Sequence, residues 1–193
     1  MRQGKSRPDK DARIGYCAAK KLAFIGYRLT IGLAAKEGVI LDFALTPANV
    51  HDGKTFPTLW NDLNQEGLLR WIKEVYGDNA YASITNEILV TGDQKKECFH
   101  SKEETGKHPK NPKQAHQKSK IRSKIEAANG ILCMNYNLEH IRVRGLPRVR
   151  IEMALTLCLW NLLLLLAYIE DRIEDKWSVR QLFGHKTILQ GEI

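Results

Sequence analysis

The chain has 193 residues and a mass of 22.0 kDa, enough for one domain with a single core and too short for two of ordinary size. Apolar residues make up 43% and charged residues 27%, which excludes a disordered or fibrous chain. Lys and Arg number 30 against 22 Asp and Glu, and the formal charge of +8 favours an anionic partner, most simply nucleic acid.

Cys17, Cys98, Cys133 and Cys158 form no CxxC pair, and no signal peptide opens the chain. A disulfide scaffold is therefore not expected, and a reducing cytoplasm is.

The start, MRQGKSRPDKDARIG, is polar and without apolar periodicity, and residues 1–23 are read as a polar remnant without a strand. Phe24 to Ala35 and Val39 to Leu45 are apolar stretches separated by Lys36-Glu37-Gly38, the pattern of a β-hairpin. The second strand should end at Thr46-Pro47, because proline cannot continue a central ladder. Asp52 or Thr55 is expected to cap a helix over Phe56 to Glu66, with Phe56, Leu59, Trp60 and Leu63 on one stripe and Gly67 beyond its end. Trp71 to Tyr76 reads as a short strand and Ile84 to Thr91 as a short helix.

Residues 100–120 are lysine-rich, contain Pro109 and Pro112, and carry no large aliphatic side chain, so a basic loop is expected there. A helix emerges around Gln117, with Ile121, Ile125, Ala128 and Leu132 on one face. Arg142 to Arg150 is a basic turn. The uncharged run Met153 to Ile169 has 17 residues, interrupted by Asn161 and short of the ~20 a spanning helix needs. It is read as a buried core helix, with no membrane partner. Residues 24–170 thus form the domain, and 171–193 a mixed tail.

Asp78 follows a predicted strand, where open α/β folds place ligands; ordinary Gly-Asp-Asn turn chemistry competes with that reading. Glu126 lies just off the apolar stripe, four residues after Arg122, so an ion pair along the helix competes with a metal-binding role. Mg²⁺ takes one or two carboxylates and bridges to phosphate oxygens, and two such ions clamp an in-line displacement. Lys118, Lys120, Arg122 and Lys124, with Arg142 and Arg144, suit phosphate contacts that position a protein on DNA without reading sequence. His100, His108 and His116 match no zinc-ligand pattern.

Four stretches together resemble the DDE transposase domain of bacterial insertion sequences. They are Asp11 to Gly15; Gly26-Tyr27-Arg28-Leu29 followed by Leu45 to Asp52; Tyr76-Gly77-Asp78-Asn79-Ala80-Tyr81; and Arg122 with Ile125-Glu126. Arg142 to Leu146 and the apolar helix with Asn161 also look like the family's ending. The resemblance implies an α/β, RNase H-like mixed sheet flanked by helices. It further implies three carboxylates holding two Mg²⁺ or Mn²⁺ ions for attack on a DNA phosphodiester, at insertion-sequence ends and with other transposase chains as partners. Asp78 corresponds to the second catalytic Asp, Glu126 to the catalytic Glu, and Arg122 to the arginine before it. The family's tyrosine three positions before that arginine is Ser119 here, and its lysine seven positions after the glutamate is Cys133. In this fold the first catalytic Asp sits on a strand ahead of the hairpin. No strand pattern precedes Phe24, and Asp9 and Asp11 look like the loop after that strand. A chain lacking the first strand and first metal ligand is therefore expected. It is then either an inactive remnant that binds DNA or oligomerises, or a part that works with a separate upstream segment.

Overall fold

The structure, a computed structural model, describes residues 9–17, 21–99, 112–136, 138 and 140–171; in the helix beginning at Pro112 it describes side chains 116, 119–121 and 123–134. The elements run β1 (Arg13–Cys17), β2 (Leu22–Leu33), β3 (Ile40–Pro47), α1 (Asp52–Gln65), a 3-10 turn (Leu68–Trp71), β4 (Glu74–Gly77), α2 (Ile84–Gly92), β5 (Lys96–Phe99), α3 (Pro112–Asn135) and α4 (Leu146–Ile169). The first three strands form an antiparallel sheet in the order β1-β2-β3, and β4 pairs with β5 in parallel in a second sheet.

The β2–β3 hairpin is where the apolar pattern puts it, and Pro47 ends β3 as proline chemistry requires. α1 begins four residues before Phe56. Its cap is His51, whose Nδ1 accepts from the Gly53 N–H at 3.2 Å, and neither Asp52 nor Thr55 fills that role. Residues 1–23 are not strandless: Arg13–Cys17 pairs with Leu22–Gly26, because β2 starts two residues before Phe24 and offers an edge. Within Trp71 to Tyr76 only the end is strand, since Leu68–Trp71 winds into a 3-10 turn that buries Leu69. β5 was not legible in its four residues, KECF, two of them charged. The basic segment 100–120 is partly helical, with α3 starting at Pro112, a residue whose fixed φ suits a first turn. The rest of that segment, 100–111, and the tail 172–193 lie outside the described residues.

Apolar side chains cover both faces of the β2–β3 hairpin. On one face Leu41 and Ala44 join Phe56, Leu59, Trp60 and Leu63 of α1, with Val90 and Phe99 behind them. On the other, Ile31, Leu33 and Ile40 meet Ala128, Ile131 and Leu132 of α3 and Leu157, Trp160 and Leu164 of α4. Leu45 continues this face with Val149 and Met153.

The expectation for the long apolar helix is met on one side. Val149, Met153, Leu157, Trp160, Leu164 and Ala167 form a buried stripe, while Leu155 (68% exposed) and Ile169 (72%) on the opposite side are open among the described residues. By length and composition alone α4 could cross a membrane, but its buried stripe is committed to the sheet.

Asn161, the one strongly polar residue in the run, explains itself by contact. Its Oδ1 accepts from the Ile40 N–H at 2.9 Å and its Nδ2 donates to the Ile40 carbonyl at 2.8 Å. Next to it, the Trp160 indole N–H donates to the Gly38 carbonyl at 2.9 Å. α4 is thus fastened to the hairpin at the mouth of its turn. Asn161→Leu keeps the branching of the side chain but strands both backbone groups of Ile40. It is expected to lower the unfolding free energy by about 1–3 kcal/mol, seen in urea as a lower midpoint at unchanged slope.

Candidate functional site

A cavity of about 1020 Å³ opens between the two sheets. β2 from Arg28 to Leu33 forms one wall, and β4 with Lys73 and Asp78 forms the other. α1 and α3 close the remaining sides with Phe56, Leu59, Trp60, Ile121, Ile125, Ala128 and Leu132. Both acidic residues singled out from the sequence, Asp78 and Glu126, line this cavity.

Asp78 stands directly after β4, exposed, at the strand's C-terminal end. Its Oδ1 accepts from the Ala80 N–H at 2.9 Å, and its carbonyl accepts from the Tyr81 N–H at 3.1 Å. The turn chemistry that competed with a functional role is therefore present. It fixes the carboxylate's direction through one oxygen and, among the described residues, does not consume the other.

The loop that carries Asp78 is held by a chain of causes starting in α1. Pro57 has no N–H to give the carbonyl of Gly53 four residues earlier. That carbonyl accepts instead from Nδ2 of Asn86 at 3.1 Å, and the same nitrogen donates to the Tyr81 carbonyl at 2.9 Å. Asn86 is 1% exposed, so both bonds are made away from water. Gly53 itself permits the contact, because a Cβ there would run into the Ala80 carbonyl oxygen. Gly77 does the same for Tyr81 and Phe99, with a Cβ falling 3.0 Å from Phe99. Asn86 and Gly53 were not picked out from the sequence: a buried Asn inside a short helix has no sequence signal apart from its partners.

Around this loop the electrostatics are mixed. Arg28 on β2 pairs with Asp52 of α1 at 2.9 Å, both side chains roughly a quarter to a third exposed. Burial pushes the Tyr81 hydroxyl up to about 12, and the neighbouring Asp52 and Asp78 charges push the same way, against the Thr30 hydrogen bond and Arg28. Tyr81 therefore stays protonated at neutral pH and can act only as a neutral hydroxyl.

Glu126 is exposed on α3. Two residues before it, Lys124 donates to the Ala35 carbonyl at 3.2 Å, which anchors this stretch of α3 beside the β2–β3 turn. Asp78, by contrast, lies with Tyr81 and Asp52 near the Arg28 end of β2. Among the described residues no three His, Cys, Asp or Glu side chains gather as a metal ion would need.

Of the proposed phosphate contacts, Lys120, Arg142 and Arg144 are exposed, and Lys124 is half-buried against the hairpin turn. The side chains of Lys118 and Arg122 lie outside the described residues, as do His100 and His108. Asp9 and Asp11 do not face the cavity's acids. They cap α4: Oδ2 of Asp9 accepts from the Gly145 N–H and Oδ2 of Asp11 from the Leu146 N–H, each at 2.9 Å, where the helix dipole favours negative charge. The Tyr27 hydroxyl adds a bond to Asp9 at 2.8 Å.

Mixed strands flanked by helices, with an aspartate at the end of β4, make an α/β domain consistent with the RNase H-like kind. Residues 2–162 match the family described as the transposase DDE domain. The chain belongs to that family, which places its function in transposition. No curated protein and no solved structure matches it.

Two outcomes are expected from these contacts. Asn86→Ala leaves the Gly53 and Tyr81 carbonyls without their donor, and should cost about 1–3 kcal/mol of stability. It should also speed amide exchange at Tyr81, whose N–H bonds the Asp78 carbonyl, as measured by hydrogen exchange. Separately, the Gly145 N–H, aided by the Asp11 and Ala12 N–H groups and Tyr27, holds the Asp9 carboxyl below the usual carboxylate value against the opposing effect of burial. A lowered folded value means stability present above the ordinary Asp value of ~3.9 and lost as pH falls through the folded value. Burial raises Asp42 and acts in the opposite direction. The comparison that isolates Asp9 is therefore with Asp9→Asn, whose urea midpoint should fall less steeply on acidification below ~4.

Proposed function

We propose that the chain is the part of a bacterial insertion-sequence transposase that supplies two of the acidic residues for metal-dependent cleavage and transfer of DNA strands. Asp78 and Glu126 are its metal-ligating carboxylates. Lys120, Arg142 and Arg144, with Lys118, Arg122 and Lys124, are its phosphate contacts, and the DNA ends of its element are its substrate, in the cytoplasm. The observation that carries this reading is Asp78: an exposed carboxylate after β4, held by Asn86 and Gly53 at a wide cavity that Glu126 also lines, within a family match running through both residues.

The acids described do not by themselves complete a site for Mg²⁺ or Mn²⁺. Asp52 is engaged by Arg28, and no trio of acidic or imidazole donors converges among the described residues. Mg²⁺ demands near-octahedral oxygen coordination, so a further donor has to join Asp78 and Glu126 before an ion is held. That incompleteness favours a second reading, a non-catalytic chain that binds DNA or joins other transposase chains while its basic surface remains intact.

The readings separate on DNA carrying the ends of the element, assayed with Mg²⁺ or Mn²⁺. Under the first, DNA is nicked once the polypeptide that supplies the further donor is present with the chain. Asp78→Asn and Glu126→Gln then each reduce nicking by more than the ~10–100-fold that loss of a metal's outer-shell partner costs, without changing DNA affinity. Under the second, no nicking appears and binding weakens linearly in log salt. Arg142→Ala and Arg144→Ala then each lower that slope by about 1, because each removes one cation from the phosphate backbone. Neither nicking nor salt-dependent binding would sink both.

A further inference from the structure

α4 carries two apolar stripes. One, from Val149 to Ala167, is buried against the sheet. The other runs along the opposite side through Ile151, Leu155, Cys158, Leu162, Leu165 and Ile169, all exposed among the described residues. Their separations alternate between four and three residues, the 3.5-residue period with which one helix packs on another. Contact with water imposes no such period, and monomeric soluble proteins rarely expose a contiguous apolar patch of more than a few hundred Å².

This seam is its own complement. Laid antiparallel on a second copy, about a two-fold axis level with Trp160, it sets Ile151 against Ile169, Leu155 against Leu165 and Cys158 against Leu162. Each pair then occurs twice, as an isologous contact requires. The charges at the two ends agree with that direction. Arg148 and Arg150 lie near the start of α4 and Glu170 and Asp171 just past its end, all exposed. Antiparallel pairing brings the cations of each copy towards the acids of the other and opposes the two helix dipoles favourably. A parallel pair would set like charges side by side.

The available area is also sufficient. The five aliphatic residues of the seam, with Leu159, Leu166 and Tyr168 beside it, leave open about 100 Å² each, so ~800 Å² per copy, the share each partner gives to a standard stable interface. We infer that the open face of α4 is the interface of a homodimer, in which two copies of α4 pack antiparallel, seam on seam. The inference names a surface for association between chains and stands on α4 alone. Its test contains neither DNA nor metal, so its failure leaves the roles of Asp78 and Glu126 untouched.

The full chain is expected to sediment as a dimer at micromolar concentration. Leu155→Glu places a charge at the centre of the contact but at an exposed position of the single chain. It should weaken dimerisation by roughly tenfold or more, with the helical circular dichroism of the chain retained. A second measurement reads direction without relying on a destabilised variant. Leu155→Cys and Leu165→Cys chains are mixed and oxidised, and the links are identified by mass spectrometry. Links joining position 155 of one copy to 165 of the other are expected to predominate. A monomer overturns the inference, as does a dimer indifferent to Leu155→Glu. Predominant 155–155 and 165–165 links mark a parallel pair and overturn it too.

Discussion

Three side chains from two helices grip the backbone at the turn of one hairpin. Asn161 brackets Ile40, Trp160 holds the carbonyl of Gly38, and Lys124 holds that of Ala35. These bonds fix α3 and α4 against one face of β2 and β3, leaving the other face to α1. The hairpin is thus the common wall of both hydrophobic layers. Its polar anchors matter because a buried backbone group without a partner costs more than an ordinary hydrogen bond returns.

The candidate site inherits its precision from the second layer. Pro57 withholds an N–H from Gly53, the released carbonyl attracts Asn86, and Asn86 carries the loop of Asp78 with it. The Asp78 carboxylate is set at the end of β4 by the Ala80 N–H, on a loop whose Tyr81 carbonyl a buried amide holds. Under the proposed metal role such support matters, since a ligand set tolerates little looseness. The described acids nonetheless fall short of a full ligand set, and the cavity they line also separates the two sheets. Incomplete chemistry and divided strands therefore occur in the same place.

α4 joins the two ends of the described chain. Asp9 and Asp11 neutralise the positive end of its dipole, and its apolar stripe seals the sheet from Val149 to Ala167. Residues that look in the sequence like the loop after a missing strand thus have a structural task, and the +8 chain places two of its acids where helix geometry favours them.

The hairpin, its termination at Pro47, the helix over Phe56 to Leu63, Asp78 beyond a strand and the transposase family were all determined by the sequence itself. Each depends on local periodicity, on proline's missing N–H, or on an ordered set of short motifs. Only the tertiary structure decided the rest. β1 and β5, of five and four residues, are too short to be strands without neighbours offering an edge. His51 replaced Asp52 as a cap because its Nδ1 reaches the Gly53 N–H. The helix read around Gln117 reaches back to Pro112. Asn161 and Asn86 gained their meaning from backbone groups 121 and 33 residues away. Contacts between distant parts of the chain leave no periodic trace, so neither the joining of Asn86 to Gly53 nor the gap between β2 and β4 could be read before the chain was folded.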